Sequence, residues 1–189
     1  MKTGYKVLSI RKPGEQVYYP PMVANPGGAP TPIGEMYFAS DPGIAGYSKT
    51  GRPQVAAGGN GTARGRQSLA HRPGIHIAMD APYAPQFIKK DGTWPWNFVW
   101  AECRFPDEID YTEEAMRYGV TENGSFRHAY AGLPYIPKDG YYRYRTNPNP
   151  DSPVWAIAGA ALITRILPDK EVAEICAAHG IQAPRREVI

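Results

Sequence analysis

His76 stands between two β-branched residues in Arg72-Pro73-Gly74-Ile75-His76-Ile77-Ala78-Met79-Asp80, so on a strand it leaves the side opposite to Ile75 and Ile77. A short strand of this pattern can deliver one imidazole into a cleft, to hydrogen-bond a ligand or move a proton. The same pattern also suits a core strand that holds a single hydrogen-bonded histidine. A second set of chemistry-bearing residues is Tyr141-Tyr142-Arg143-Tyr144-Arg145. Here Tyr142 and Tyr144 share one face of a strand, and Tyr141, Arg143 and Arg145 share the other. Aromatic faces beside guanidinium groups suit a planar, phosphorylated ligand such as a nucleotide. An edge strand that carries tyrosines for their β propensity would read the same way.

A third set is defined by charge. Gly43 to Met79 holds no acidic residue, while Lys49, Arg52, Arg64, Arg66 and Arg72 are basic around a Gly-rich centre. The order G-x-x-x-x-G-K-[ST] is missing, so this is not a P-loop. Residues 43–70 read as a flexible basic loop, either a mobile surface segment or a lid whose arginines meet phosphates. The histidines His71, His76, His128 and His179 are not spaced as zinc ligands, and no G-x-S-x-G elbow occurs. Glu102, among aromatic residues, is either a buried acid or a solvent-facing strand residue.

The elements that must position these groups are short. Tyr5 to Arg11 alternates as a strand and ends at Lys12-Pro13-Gly14, with Gln16 to Tyr19 as a partner strand. Residues 24–34 are loop by composition, and Glu35 to Ala39 is another short strand. Trp96 to Phe105 is an aromatic-rich strand stopped by Pro106. Tyr111 to Tyr118 is a short helix closed by Gly119, and residues 121–140 are mostly loop up to the hairpin-type signal Asp139-Gly140. Val154 to Leu167 reads as a buried strand with a small-residue bend at Ala158-Gly159-Ala160. Asp169 caps a last helix that ends at His179-Gly180, and the tail 184–189 is expected to fray.

Composition fits this pattern. The 189 residues include 20 Gly, 20 Pro and 13 Tyr, which favour turns and short strands over long helices. The expected fold is α+β in a single domain, 1–189. A net charge of +3 is too small to argue a nucleic-acid partner. Cys103 and Cys176 have no paired spacing, no apolar leader follows Met1, and no apolar run would span a bilayer. A soluble cytoplasmic protein with no membrane partner is expected, and homo-oligomerisation stays open.

Gly74-Ile75-His76-Ile77-Ala78 followed by Asp80 resembles the Gly-Ile-Tyr-Phe-Ala-Asp strand of poly(ADP-ribose) polymerase-type ADP-ribosyltransferases. The resemblance extends over roughly residues 70–167, with Val99 to Cys103 similar to the next core strand and Val154 to Ala158 similar to a late one. It implies an ADP-ribosyltransferase-like fold of split β-sheets with few short helices and long loops. It also implies a cleft for NAD or an ADP-ribose-type nucleotide. Phe87 then takes the place of the aromatic that stacks on nicotinamide, and Arg11 that of the first strand's His or Arg. The family's catalytic glutamate falls on Val154, which cannot stabilise an oxocarbenium-like charge, and Asp151 is the nearest carboxylate in sequence. The blocks Arg72 to His76 and Tyr142 to Pro148 also resemble an uncharacterised domain of phage and mobile-element polyvalent proteins.

These features give three readings. The first is a phage- or mobile-element-encoded protein that binds the nucleotide through Arg11, His76, Phe87, Tyr142, Arg143, Tyr144 and Arg145, sequestering a host immune signal in the host cytoplasm. The second is a divergent transferase or NAD glycohydrolase using Arg11, His76 and Glu102 or Asp151. The third is a structural or interaction protein.

Overall fold

The computed structural model describes residues 1–21, 28–39, 44–47, 53–55, 74–128, 131–145 and 153–189. The alternating N-terminal segment forms strand β1, Lys2–Ser9, and the aromatic-rich run forms β6, Phe98–Phe105. The two pair antiparallel along their whole length, from Lys2↔Phe105 to Ser9↔Phe98. On the far side of β6 lies β10, Ala160–Ile166, and beyond it the edge strand β2, Met36–Phe38. On the far side of β1 lies β5, Ile75–Ala78, then β9, Val154–Ala158, and β8, Gly140–Arg145. A two-residue strand, β7, Ile109–Asp110, closes this edge, and it pairs parallel with β8. Asp139-Gly140 therefore opens a strand and does not turn a hairpin.

The split pair of sheets expected from the resemblance is thus one eight-stranded mixed sheet. Its narrowest joint is β1–β5, where one residue pair, Tyr5↔Ala78, stands against eight between β1 and β6. The sheet is also curled. β9 and β10 are separated in sequence by Gly159 alone, yet three strands lie between them in the ladder. Phe105 on β6 meets Tyr141 on β8 with ring centroids 5.3 Å apart, although four strand spacings in a flat sheet are about 19 Å. The expected small-residue bend at Gly159 is this corner. A Cβ there would sit 2.0 Å from the Pro137 carbonyl oxygen, so no larger residue fits.

The inside of the curl is an apolar cluster of Leu8, Ile75, Ile77, Ala101, Cys103, Phe105, Tyr141 and Ile163 with small alanines. The outer face carries a second cluster that includes Val7, Trp94, Trp100, Tyr142, Tyr144, Trp155 and Ile157. Helix α2, Asp169–Ala178, covers part of it through Val172 and Cys176. The other helix, α1, Thr112–Arg117, buries only Ala115. Among the described residues no helix is long and apolar enough to cross a membrane.

Several local expectations change. Within the stretch read as a basic loop, Ile44–Tyr47 (β3) and Pro53–Val55 (β4) pair antiparallel in a separate two-stranded sheet, while residues 56–70 lie outside the described ones. The partner strand over Gln16 to Tyr19 reduces to one bridge, Ser9↔Tyr19. The N-cap of α2 is Pro168, whose ring offers no capping acceptor, and the Asp169 carboxylate in the first turn accepts from Arg186 Nε and Nη2 at 2.7 and 2.6 Å.

That contact also corrects the frayed tail. Arg186 donates to the carbonyls of Pro95, Trp96 and Phe98, Glu187 N–H bonds Trp94 C=O at 2.8 Å, and the Glu187 carboxylate pairs with Lys89. A planar fork with five donors satisfies this many acceptors at once, which an ammonium cannot do. Arg186→Ala is expected to lower stability by about 1–3 kcal/mol, with Arg186→Lys recovering only part of it. Urea unfolding of the three proteins measures this, and an unchanged midpoint in Arg186→Ala would show that the tail is not held by this residue.

Candidate functional site

The ladder registers place the proposed ligand residues. His76 pairs with Ile157, which pairs with Tyr142, and in the next row Ala78 pairs with Trp155, which pairs with Tyr144. Residues in one antiparallel row share a face, so His76, Tyr142 and Tyr144 project together from the outer face. His76 Nδ1 lies 2.6 Å from the Tyr144 hydroxyl, and the two rings meet edge to face with centroids 5.5 Å apart. Tyr144 in turn packs on Phe126, with centroids 5.2 Å apart. His76 itself is half-buried.

The tyrosines are not open stacking platforms. Tyr142 is fully buried and Tyr144 is 6% exposed, so both spend their ring faces on the core. Trp155, opposite Tyr144 on β9, is also buried, and its indole N–H has no hydrogen-bond partner among the described residues. The β8 arginines divide as well. Arg143 projects from the opposite face, where it pairs with the Asp110 carboxylate at 3.3 Å and donates to Thr112 Oγ1. Arg145 is half-buried, and its backbone N–H bonds Gly124 C=O at 2.9 Å.

Two residues carried by the resemblance lie elsewhere. Phe87 sits in a 3-10 turn, Pro85–Phe87, and packs edge to face against Phe98 and Trp94 with centroids 5.4 and 6.4 Å apart. The Arg11 guanidinium stacks 3.6 Å from the centroid of the exposed-side ring of Tyr19, in the turn after β1. Glu102 is in the row of Tyr5 and is held by Arg165 at 2.9 Å, with Arg165 also bound to Glu171 on α2. Two strand spacings, about 10 Å, separate its strand from that of His76. It therefore serves an ion-pair network and not the imidazole. Val154 opens β9 opposite Arg145, and its carbonyl accepts the Met79 N–H at 3.0 Å. Asp151 lies outside the described residues.

One polar residue at this place was not singled out by sequence pattern. Lys6, in β1 directly beside the narrow β1–β5 joint, donates its amine to the His76 carbonyl at 3.3 Å. No carboxylate pairs with it among the described residues, and burial pushes its amine down to about 8, with Cys103 opposing slightly. In the sequence, Lys6 looks like any outward residue of an alternating strand. Only the curl of the sheet makes its side of the strand an interior.

The folded chain holds this proton less tightly than the unfolded one, whose lysine keeps the ordinary value of 10.5. Stability is therefore lowest while Lys6 is charged in both states, and it rises as pH climbs from about 8 towards 10.5. Lys6→Met, similar in length and apolar, is expected to flatten that rise. Chemical unfolding across this window tests it, and an identical pH slope in the two proteins would show that Lys6 is not the group involved. Comparison of the chain with family models, curated proteins and solved structures finds no match in any of the three.

Proposed function

We propose that this protein binds a nucleotide of the NAD or ADP-ribose type at the His76–Tyr144 pair, and holds it without turnover. The observation that carries the reading is the adjacency of β5 and β9. One strand sets a half-buried imidazole, fixed by a tyrosine hydroxyl at 2.6 Å. The other begins with Val154 where the resemblance implies a catalytic carboxylate. A fixed imidazole can hydrogen-bond a ribose hydroxyl or a carboxamide. A valine offers no charge to an oxocarbenium-like transition state, so recognition outlasts catalysis. Capture of a signalling nucleotide, by a protein of phage or mobile-element type, is the role such a site would serve.

The test is incubation of the purified protein with NAD and with ADP-ribose, followed by chromatography of free and protein-bound fractions. Intact nucleotide in the protein fraction supports the reading, and released nicotinamide would replace it with an enzymatic one. His76→Ala should weaken binding about tenfold, the equivalent of one good hydrogen bond. Arg143→Ala should leave it unchanged, because Arg143 faces the other side of the sheet and is tied to Asp110. Equal affinity of His76→Ala and the unaltered protein would remove His76 from the site.

A further inference from the structure

The loop that follows α1 builds a groove. Tyr118 ends the helix, and Gly119 follows with φ 91°, a left-handed value that reverses the chain. Two backbone bonds clamp the reversal: Arg127 N–H to Gly119 C=O at 2.9 Å, and Gly132 N–H to Tyr118 C=O at 3.0 Å. Val120 and Phe126 form a bridge between them. Arg117, in the last turn of the helix, and Arg127, on the returning chain, are thereby brought to the same place from positions ten residues apart in sequence. His128 Nε2 lies over Gly119, 2.8 Å from where a Cβ would stand, so only glycine allows the imidazole so close.

The resulting groove has a volume of about 440 Å³ and is lined by these residues with no acidic side chain among them. Arg117, Arg127 and His128 are all exposed. Neither guanidinium forms an ion pair or hydrogen bond with a described residue. Glu113, four residues before Arg117 and well spaced to pair with it, does not, and Glu114 is taken by the Tyr135 hydroxyl at 2.7 Å. Arg143, Arg165 and Arg186, by contrast, each pair with a carboxylate: Arg143 with Asp110, Arg165 with Glu102 and Glu171, and Arg186 with Asp169. Tyr118 is 43% exposed at the rim, which leaves its ring open to stacking. The groove abuts the outer-face core, since Phe126, next to Arg127, packs on Tyr144.

We propose that this groove is an anion site for a pyrophosphate-bearing ligand, with Arg117 and Arg127 taking the phosphoryl oxygens and His128 completing the cradle. Guanidinium groups suit phosphate because their parallel N–H donors match its oxygens, and two of them converging without a carboxylate keep a local positive potential. The volume accommodates more than inorganic phosphate, and the open Tyr118 ring gives a ring-bearing ligand a place to stack. The site stands on its own residues and does not require that His76 touch a nucleotide.

The probe is inorganic pyrophosphate, titrated into ¹⁵N-labelled protein at low and at raised salt, with the amides of Gly119 and Gly132 followed by NMR. A saturable shift centred on these amides is expected. The dissociation constant should rise about tenfold in Arg117→Ala and again in Arg127→Ala, each loss matching one charge-assisted contact. Arg→Lys at either position should recover part of the affinity. His76→Ala should bind pyrophosphate as the unaltered protein does. Pyrophosphate binding without NAD binding would therefore sink the proposed function and keep this site. Linear, unsaturated shifts, or binding unaffected by the double Arg117→Ala, Arg127→Ala variant, would overturn it.

Discussion

Between Ala158 and Ala160 the chain has one residue in which to leave one half of the sheet and enter the other. Covalent continuity there forces two strands to be neighbours in space that are three strands apart in the ladder. A flat sheet cannot satisfy both, so the sheet curls, and the curl defines everything else. It turns one face into an apolar interior where Phe105 and Tyr141 meet. It concentrates the alanines Ala101, Ala156, Ala158 and Ala161 on that face, because only small side chains fit where strands converge. Gly159, pressed against the Pro137 carbonyl, is the point that permits it.

The same geometry explains the β1–β5 joint. With a single residue pair there, the backbone ladder ends early and the His76 carbonyl takes the Lys6 amine. A charged group is costly on the inner side of a curled sheet, and that desolvation lowers the Lys6 pKa. On the outer face Trp100 of β6 and Trp155 of β9 belong to the cluster that α2 covers, while Tyr142 and Tyr144 of β8 lie against Gly132 and Phe126. Trp94 stacks on Trp100 with centroids 5.5 Å apart, and Arg186 ties the tail down over this layer. The layer consumes the tyrosine rings that the strand pattern had offered for ligand stacking. Cationic groups left available for an anionic ligand are instead found beside α1, where the backbone reversal at Gly119 draws two arginines together.

Much was legible from local pattern. Alternation located β1, aromatic content ending at a proline located β6, the small-residue bend marked Gly159, Gly119 and Gly180 marked the helix ends, and period two placed Tyr142 and Tyr144 on one face. These are properties of a strand or a turn by itself, dictated by side-chain periodicity and by glycine's access to positive φ. The side on which a face ended up was a different matter. The sequence pattern that makes Phe87 a stacking aromatic is equally that of a residue packed between Phe98 and Trp94. The tail 184–189, expected to fray, is held because Arg186 meets three carbonyls contributed by residues about ninety positions away.

The sequence by itself therefore determined the longer elements, such as β1, β6 and α2, with their approximate ends and the chemistry carried on each. It determined a sheet-dominated α+β chain with an imidazole between two isoleucines. Only the tertiary structure decided which groups come together: His76 with Tyr144, Lys6 with the His76 carbonyl, and Arg117 and Arg127 on the walls of one groove. The physical reason is one of range. Propensity and periodicity act over a few residues, whereas burial and charge pairing depend on neighbours supplied by the curl of the whole sheet.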